Sequence, residues 1–239
     1  MGGSVFQFKQ FTLHQDRCAM KFSTDTALLG ALAKATAPLR ILDVGTGTGA
    51  LAIMLAQRYK EAQISAVEID SHASEQARSN ALMSPWANRI EVLNQPFQKF
   101  CEAGHGFFDL IVSNPPYYAS HLTSADSRRN TALHQHSLSF FELAKGVQAL
   151  LTEKGLFWII LPPRQMADFE LVASGFGLWG VAKIQVYDRD GKPILREVQA
   201  FSRRLSEGNT PPGTLLIRDS EGQYSFAYKE LLRPYLLHF

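Results

Sequence analysis

The sequence predicts an α/β fold, a doubly wound and mostly parallel sheet of seven strands with an antiparallel edge strand. Three observations carry this. From Arg40 onward, short β-type runs alternate with segments of helical period, the pattern of a parallel sheet covered on both faces. A glycine-rich turn, Gly45-Thr46-Gly47-Thr48-Gly49, joins the first of these strands to its helix. Near residue 190, two β runs flank a cluster of turn-forming residues, and such a hairpin adds an antiparallel strand.

The elements follow in order. The first strand spans residues 40–44, and the helix after the glycine turn runs over about 50–58, with Leu51, Met54 and Leu55 on one face. The second strand is 64–68. Ser71 is a good N-cap for a helix running to Asn80, because its hydroxyl accepts an orphan backbone N–H, and Pro85 stops any continuation. Strands at 90–93, 108–113 and 156–161 come next, with a helix at about 140–151 between the last two. Beyond Pro162 and Pro163 the pattern predicts a helix around 168–174, then β runs at 180–187 and 197–202 about the turn at 189–193. Ahead of the sheet a helix starts near Ala27, with Thr24 and Asp25 in capping positions. The stretch 119–137 is polar, aperiodic and long for a connection, as functional loops often are.

With 46% apolar and 19% charged residues, a chain of 239 residues can bury a full core without disulfides or metals. One domain, residues 1–239 with an N-terminal extension at 1–38, is the simplest reading. A formal net charge of +2 does not mark a nucleic-acid binder, although a neutral total can hide a local basic face. Cys18 and Cys101 are far apart and in no ligand-like spacing, which points to a reduced compartment and to small buried apolar side chains. Residues 1–10 lack the charged start and apolar stretch of a signal peptide, and no run approaches the ~20 apolar residues of a membrane span, so a cytoplasmic protein is expected. His134 and His136 form a His-x-His pair without a nearby third ligand, and no metal is assigned to them.

Asp43 is the last residue but one of the first strand, with Val44 between it and the glycine turn, where ligands of open α/β sheets bind at the carboxyl ends of strands. Gly45, Gly47 and Gly49 let the backbone approach a ligand and turn sharply. The spacing G-x-G-x-G departs from the dinucleotide pattern, and an acid just before it would repel a pyrophosphate on the helix N-terminus. A cationic, sulfonium-type cofactor with an amino group fits better. Nineteen residues past Gly49, Glu68 ends the second strand with Ile69 beside it, positioned to accept hydrogen bonds from two ribose hydroxyls. The competing reading is a plain structural turn with Asp43 as a cap. Strand context and the downstream acid favour the cofactor.

Asn114-Pro115-Pro116-Tyr117 follows the fourth strand, at the same sheet edge. An exocyclic amine on a nucleobase is a poor nucleophile because its lone pair is delocalised, so a site must hold both N–H groups to aim that lone pair. The Asn114 side-chain oxygen and the Pro115 carbonyl supply two acceptors, the proline pair stiffens the loop, and Tyr117 offers a flat face for stacking. Catalysis then comes from positioning and electrostatics. A simple strand-ending turn is the alternative, since Asn and Pro are ordinary turn formers. Lys9, Arg17 and Lys21 near the N-terminus, Arg128 and Arg129 in the long loop, and Arg203 and Arg204 after the last strand could together face RNA phosphates, though each alone reads as surface charge.

The tetrapeptide resembles that of adenine N6, guanine N2 and protein glutamine amide methyltransferases, all acting on a planar amine. Read end to end, the chain is similar to the bacterial tRNA1(Val) (adenine(37)-N6)-methyltransferase family, within the Rossmann-like class I methyltransferases. The resemblance rests on Phe8 to Phe11, Asp16 to Lys21, Thr24-Asp25, Leu28 to Ala31, Ser84 to Ala87, Asn114 to Tyr118, Ile217-Arg218, Tyr224-Ser225 and Ala227-Tyr228. It implies S-adenosylmethionine as cofactor and tRNA as partner. It also implies that Lys21, Thr24 and Asp25 close over the cofactor and that Asn114 to Tyr117 grip the target adenine. One departure stands out. Related enzymes place an acid after the third strand for the cofactor adenine amine, whereas this chain has Pro96 preceded by Asn94 and Gln95, so Gln95 or backbone carbonyls are expected to substitute. Two rivals remain, a protein-glutamine methyltransferase and an RNA-binding module with an inactive methyltransferase fold.

Overall fold

The computed structural model describes residues 4–116, 138–205 and 211–239. A short antiparallel pair, β1 (Val5–Gln7) and β2 (Thr12–His14), precedes helix α1 (Thr24–Leu32). Then come β3 (Arg40–Val44), α2 (Ala50–Arg58), β4 (Gln63–Glu68), α3 (Ser71–Met83), β5 (Ile90–Asn94), α4 (Phe97–Glu102) and β6 (Phe108–Ser113). The remainder is α5 (Phe140–Leu150), β7 (Leu151–Leu161), α6 (Pro163–Gly175), β8 (Trp179–Tyr187), β9 (Ile194–Ser202), β10 (Gly213–Leu216) and α7 (Phe226–Leu232).

The main sheet has the order β10-β8-β9-β7-β6-β3-β4-β5. Strands β5, β4, β3, β6 and β7 pair in parallel, each joined to the next by a helix-bearing crossover where the connection is described. Side chains alternate across this sheet. On one face Ile41, Ile64, Leu110, Trp158 and Ile160 pack with α1, α2, α3 and α7. On the other Leu42, Val67, Ile111, Phe157 and Ile159 pack with α4, α5 and α6. Two covered faces explain why the central strands read as nearly continuous apolar runs.

The doubly wound class holds, and five local expectations change. The sheet has eight strands among the described residues, β10 being the eighth, paired in parallel with β8. The antiparallel strand is β9, and it is not an edge: it lies between β7 and β8 and pairs with both. Its residues 197–202 are all buried, which a solvated edge strand would not allow. Asp70 rather than Ser71 caps α3, its Oδ1 accepting from the Ala73 N–H at 2.8 Å, because the carboxylate one position earlier already satisfies the orphan donor. Likewise Ser23 caps α1, so Thr24 and Asp25 fall in its first turn. Helix α6 begins at Pro163, since a proline at the first helical position has a fitting φ and no lost hydrogen bond. Among the described residues, no helix is long and apolar enough to cross a membrane.

Candidate active site

The carboxyl ends of β3, β4, β5 and β6 bring the predicted residues together. Gly45 and Thr46 donate their N–H groups to the Val67 carbonyl at 2.9 and 3.1 Å, which folds the glycine turn back onto β4. Gly45, Gly47 and Gly49 have φ of +74°, +56° and +82°, a region that side chains disfavour. Gly49 starts α2 against α3, where a Cβ would stand 3.2 Å from Ala77 Cα. At Gly45 and Gly47, by contrast, a Cβ would meet nothing within 4 Å, so the turn presents bare backbone to open space.

Asp43 lies beneath this turn and is 1% exposed. Its Oδ2 accepts a 2.6 Å hydrogen bond from the Thr46 hydroxyl, while Oδ1 is buried without a hydrogen-bond partner among the described residues. Burial pushes the carboxyl up to about 7, against the pull of the Thr46 hydroxyl; the Glu68 charge adds to the rise, and the Ala52 N–H in the first turn of α2 opposes it.

Glu68 does something its sequence position did not reveal. Its Oε2 accepts from the Gly47 N–H at 2.9 Å and its Oε1 from the Asp70 N–H at 3.0 Å, so the carboxylate braces the glycine turn. Each oxygen keeps a second lone pair for a ligand hydroxyl. Ile69 is an exposed apolar side chain next to it, at 47%. Asn94 Nδ2 donates to the carbonyls of Glu68 and Ile69, and the Gln95 N–H donates to Glu68 O at 3.0 Å. The Gln95 Nε2 is buried and unpartnered among the described residues. Pro96 serves as the N-cap position of α4, with no side-chain hydrogen bond to offer.

The tetrapeptide is drawn to the same place by Ser113, whose hydroxyl donates to the Val44 carbonyl at 2.9 Å and locks the end of β6 to the end of β3. Asn114 Nδ2 then donates to Thr26 Oγ1, 3.1 Å away in the first turn of α1. Pro115 is buried and Pro116 exposed; Tyr117, Arg128, Arg129, His134 and His136 lie outside the described residues. Asp25 points the other way from α1, forming a 2.8 Å ion pair with Arg196 at the start of β9. Lys21 is exposed on the segment that enters α1, and Thr24 is exposed in the helix's first turn. That segment is strapped to α3. Asn80, fully buried, exchanges hydrogen bonds with the backbone of His14 and donates to the Thr48 carbonyl of the glycine turn, and Gln76 accepts from the Arg17 N–H.

Among the described residues, the cationic side chains proposed for RNA do not form one face. Lys9 Nζ is spent on the backbone oxygens of Arg233 and Phe239, at 2.6 and 2.7 Å, tying the N-terminal hairpin to the C-terminal segment. Arg203 and Arg204 follow the end of β9, and because β9 is antiparallel they sit at the amino edge of the sheet, opposite Asn114. There Arg203 donates to the Leu151 carbonyl and Arg204 pairs with Glu153. Arg17 is exposed, 4.0 Å from Glu75. Thr26, Thr46, Asn80 and Arg196 were missed by sequence reading. Only Thr46, inside the glycine motif, carried a local signal.

Residues 18–177 match the family model described as methyltransferase small domain. A tRNA1(Val) (adenine(37)-N6)-methyltransferase of Bacteroides fragilis is 42% identical over 238 residues, covering 99% of each chain. The enzyme of that name from Yersinia pestis is 39% identical over 238 residues, 99% of this chain and 95% of the relative. The chain belongs to the tRNA1(Val) (adenine(37)-N6)-methyltransferase family. In this methyltransferase family member, the glycine turn, Glu68 and Asn114 all fall inside the matched domain, while α7 and the β8–β10 half of the sheet lie beyond it. A predicted O-methyltransferase from Agrobacterium tumefaciens shares the fold, with a TM-score of 0.69 at 21% identity over 88% of this chain and 96% of that one.

Proposed function

We propose that this chain transfers a methyl group from S-adenosylmethionine to the N6 amine of an adenine in tRNA, adenine 37 of tRNA1(Val) by its family, in the cytoplasm and as a single domain. The observation that carries this reading is the meeting of Asn114 with the glycine turn at one sheet edge, fastened by Ser113 to Val44 and by Asn114 to Thr26. The residues fit the cofactor. Gly45 and Gly47 leave room where a side chain would intrude, and a buried carboxyl oxygen of Asp43 and a buried amide nitrogen of Gln95 each lack a partner among the described residues. Glu68 and Gln95 would hold the nucleoside part, the apolar Ile69 would lie against its base, and Lys21 and Thr24 would border the entrance, whereas Asp25 is engaged by Arg196 on the other side of α1.

Bound S-adenosylmethionine supplies an electrophilic methyl group on a sulfonium. The protein's own work is positioning. Asn114 Oδ1 and the Pro115 carbonyl accept the two N–H groups of the target amine, turning its lone pair out of the ring plane, and Tyr117 stacks on the base. Methyl transfer would leave the target nitrogen cationic. The two acceptors stabilise that charge until the surplus proton passes to water. Methylation of guanine N2 or of a protein glutamine is disfavoured by the names of the relatives. The test is labelled methyl transfer to total tRNA from cells lacking this gene, followed by nucleoside digestion and mass spectrometry. N6-methyladenosine is expected; label found in rRNA or protein instead overturns the substrate.

A further inference from the structure

At the carboxyl edge of the sheet, on the far side of α1 from the glycine turn, a cleft of about 410 Å³ opens between α1, the ends of β8 and β10, the start of β9 and the turn before α7. Its size falls within the roughly 300–1,000 Å³ typical of small-ligand pockets. Of the residues named for the methyl-transfer site only Thr24 and Asp25, in the first turn of α1, reach it; the rest of its lining includes Arg196, Ile217, Arg218, Tyr224 and Tyr228.

The chemistry of the cleft is distinctive in three ways. Two guanidinium groups are matched by two carboxylates: Arg196 pairs with Asp25 at 2.8 Å, and Arg218 Nε lies 3.5 Å from Asp188. A lining so balanced lacks the surplus positive charge of a phosphate site, but it offers donors and acceptors side by side, as the edge of a nucleobase does. An aromatic platform is also present. Tyr224 is 42% exposed, stacked on Tyr228 with centroids 5.3 Å apart, and the Arg218 guanidinium lies 5.4 Å from the Tyr224 ring centroid. Bases stack on tyrosine rings and on arginine planes alike. Finally, the cleft and Asn114 are separated by a single helical turn. Thr26 meets Asn114, while Thr24 and Asp25, its neighbours in the first turn of α1, line the cleft.

We infer that this cleft receives one unpaired nucleobase of the RNA substrate flanking the target, stacked on the Tyr224–Arg218 platform with its edge at the Asp25–Arg196 pair. The inference rests on the RNA reading of the methyl-transfer site and adds where the strand runs, away from the cofactor half and over β9, β8 and β10. It also accounts for tRNA recognition without the cations at the opposite edge of the sheet.

The test uses the full chain with an anticodon stem-loop RNA and measures its Kd, the KM for tRNA, and the Kd of S-adenosylmethionine. Tyr224→Ala should raise the KM and the RNA Kd about tenfold or more and leave the cofactor Kd unchanged, and Tyr224→Phe should restore both. Tyr224→Leu, which fills the space without a flat face, should not. Replacing loop nucleotides other than the target by abasic sites, one at a time, should identify one whose loss weakens wild-type binding but does not weaken Tyr224→Ala further. Unchanged RNA binding in Tyr224→Ala, or losses that add at every abasic position, would overturn the cleft while leaving methylation of tRNA by the wild type intact. Failure of the wild type to methylate tRNA at all would overturn both readings.

Discussion

Asp43 shows how one buried group can couple ligand, proton and stability. Its folded pKa of about 7 lies above the 3.8 of an exposed aspartate, chiefly through burial. A raised acid contributes stability that is fully present below about pH 4 and is lost as pH rises towards 7, at most a few kcal/mol over the window. The ligand-free protein should therefore lose stability between pH 4 and 7 relative to Asp43→Asn, measured by denaturant unfolding at several pH values. Parallel curves for the two proteins would contradict this origin of the shift. At the same scale, Glu68 accepts from the Gly47 and Asp70 N–H groups, so it shapes the turn in addition to its proposed hold on the ribose. Asp43, Glu68 and Asn114 were legible in the sequence because each lies within one residue of a strand's end, where chain order alone puts it at the ligand edge. Their partners were not. Thr26 reaches Asn114 across 88 residues and Arg196 reaches Asp25 across 171, and nothing local in the sequence announces such pairs.

Among the elements, the N-terminal strap is the least expected. β1 and β2 are three residues each, too short for an alternating pattern to register, and the strap is held through the side chains of α3. Asn80 is its bolt, with hydrogen bonds of 2.9, 2.8 and 2.8 Å to His14 N, His14 O and Thr48 O. Asn80→Ala strands those buried backbone groups, so it should cost about 2–4 kcal/mol of unfolding free energy. Because Thr48 belongs to the glycine turn, cofactor affinity should fall as well, read by calorimetry under conditions where the variant stays folded. A loss under 0.5 kcal/mol would show that water replaces the side chain. The parallel strands β3 to β7 could be read because burial on both faces makes them apolar runs. α4 could not: it has six residues and no side-chain cap. β10 has four and α7 seven, again too short for periodicity to decide.

At the scale of the molecule, the sheet divides its labour. The β3–β4–β5 half carries the glycine turn, Glu68 and Gln95. The β7–β9–β8–β10 half, whose antiparallel β9 starts at the carboxyl edge, carries Arg196 and the Tyr224 cleft. Helix α1 stands between them, meeting Asn114 through Thr26 and Arg196 through Asp25. Asn114 therefore lies between the two halves, and in the proposed reaction its side chain aims the target amine at the methyl donor. Single-turnover methyl transfer by Asn114→Ala, with Kd values for S-adenosylmethionine and tRNA measured alongside, tests this directly. The rate should drop at least tenfold, the loss of about 1.4 kcal/mol or more of transition-state stabilisation, with both affinities nearly unchanged. A wild-type rate in that variant would contradict the account.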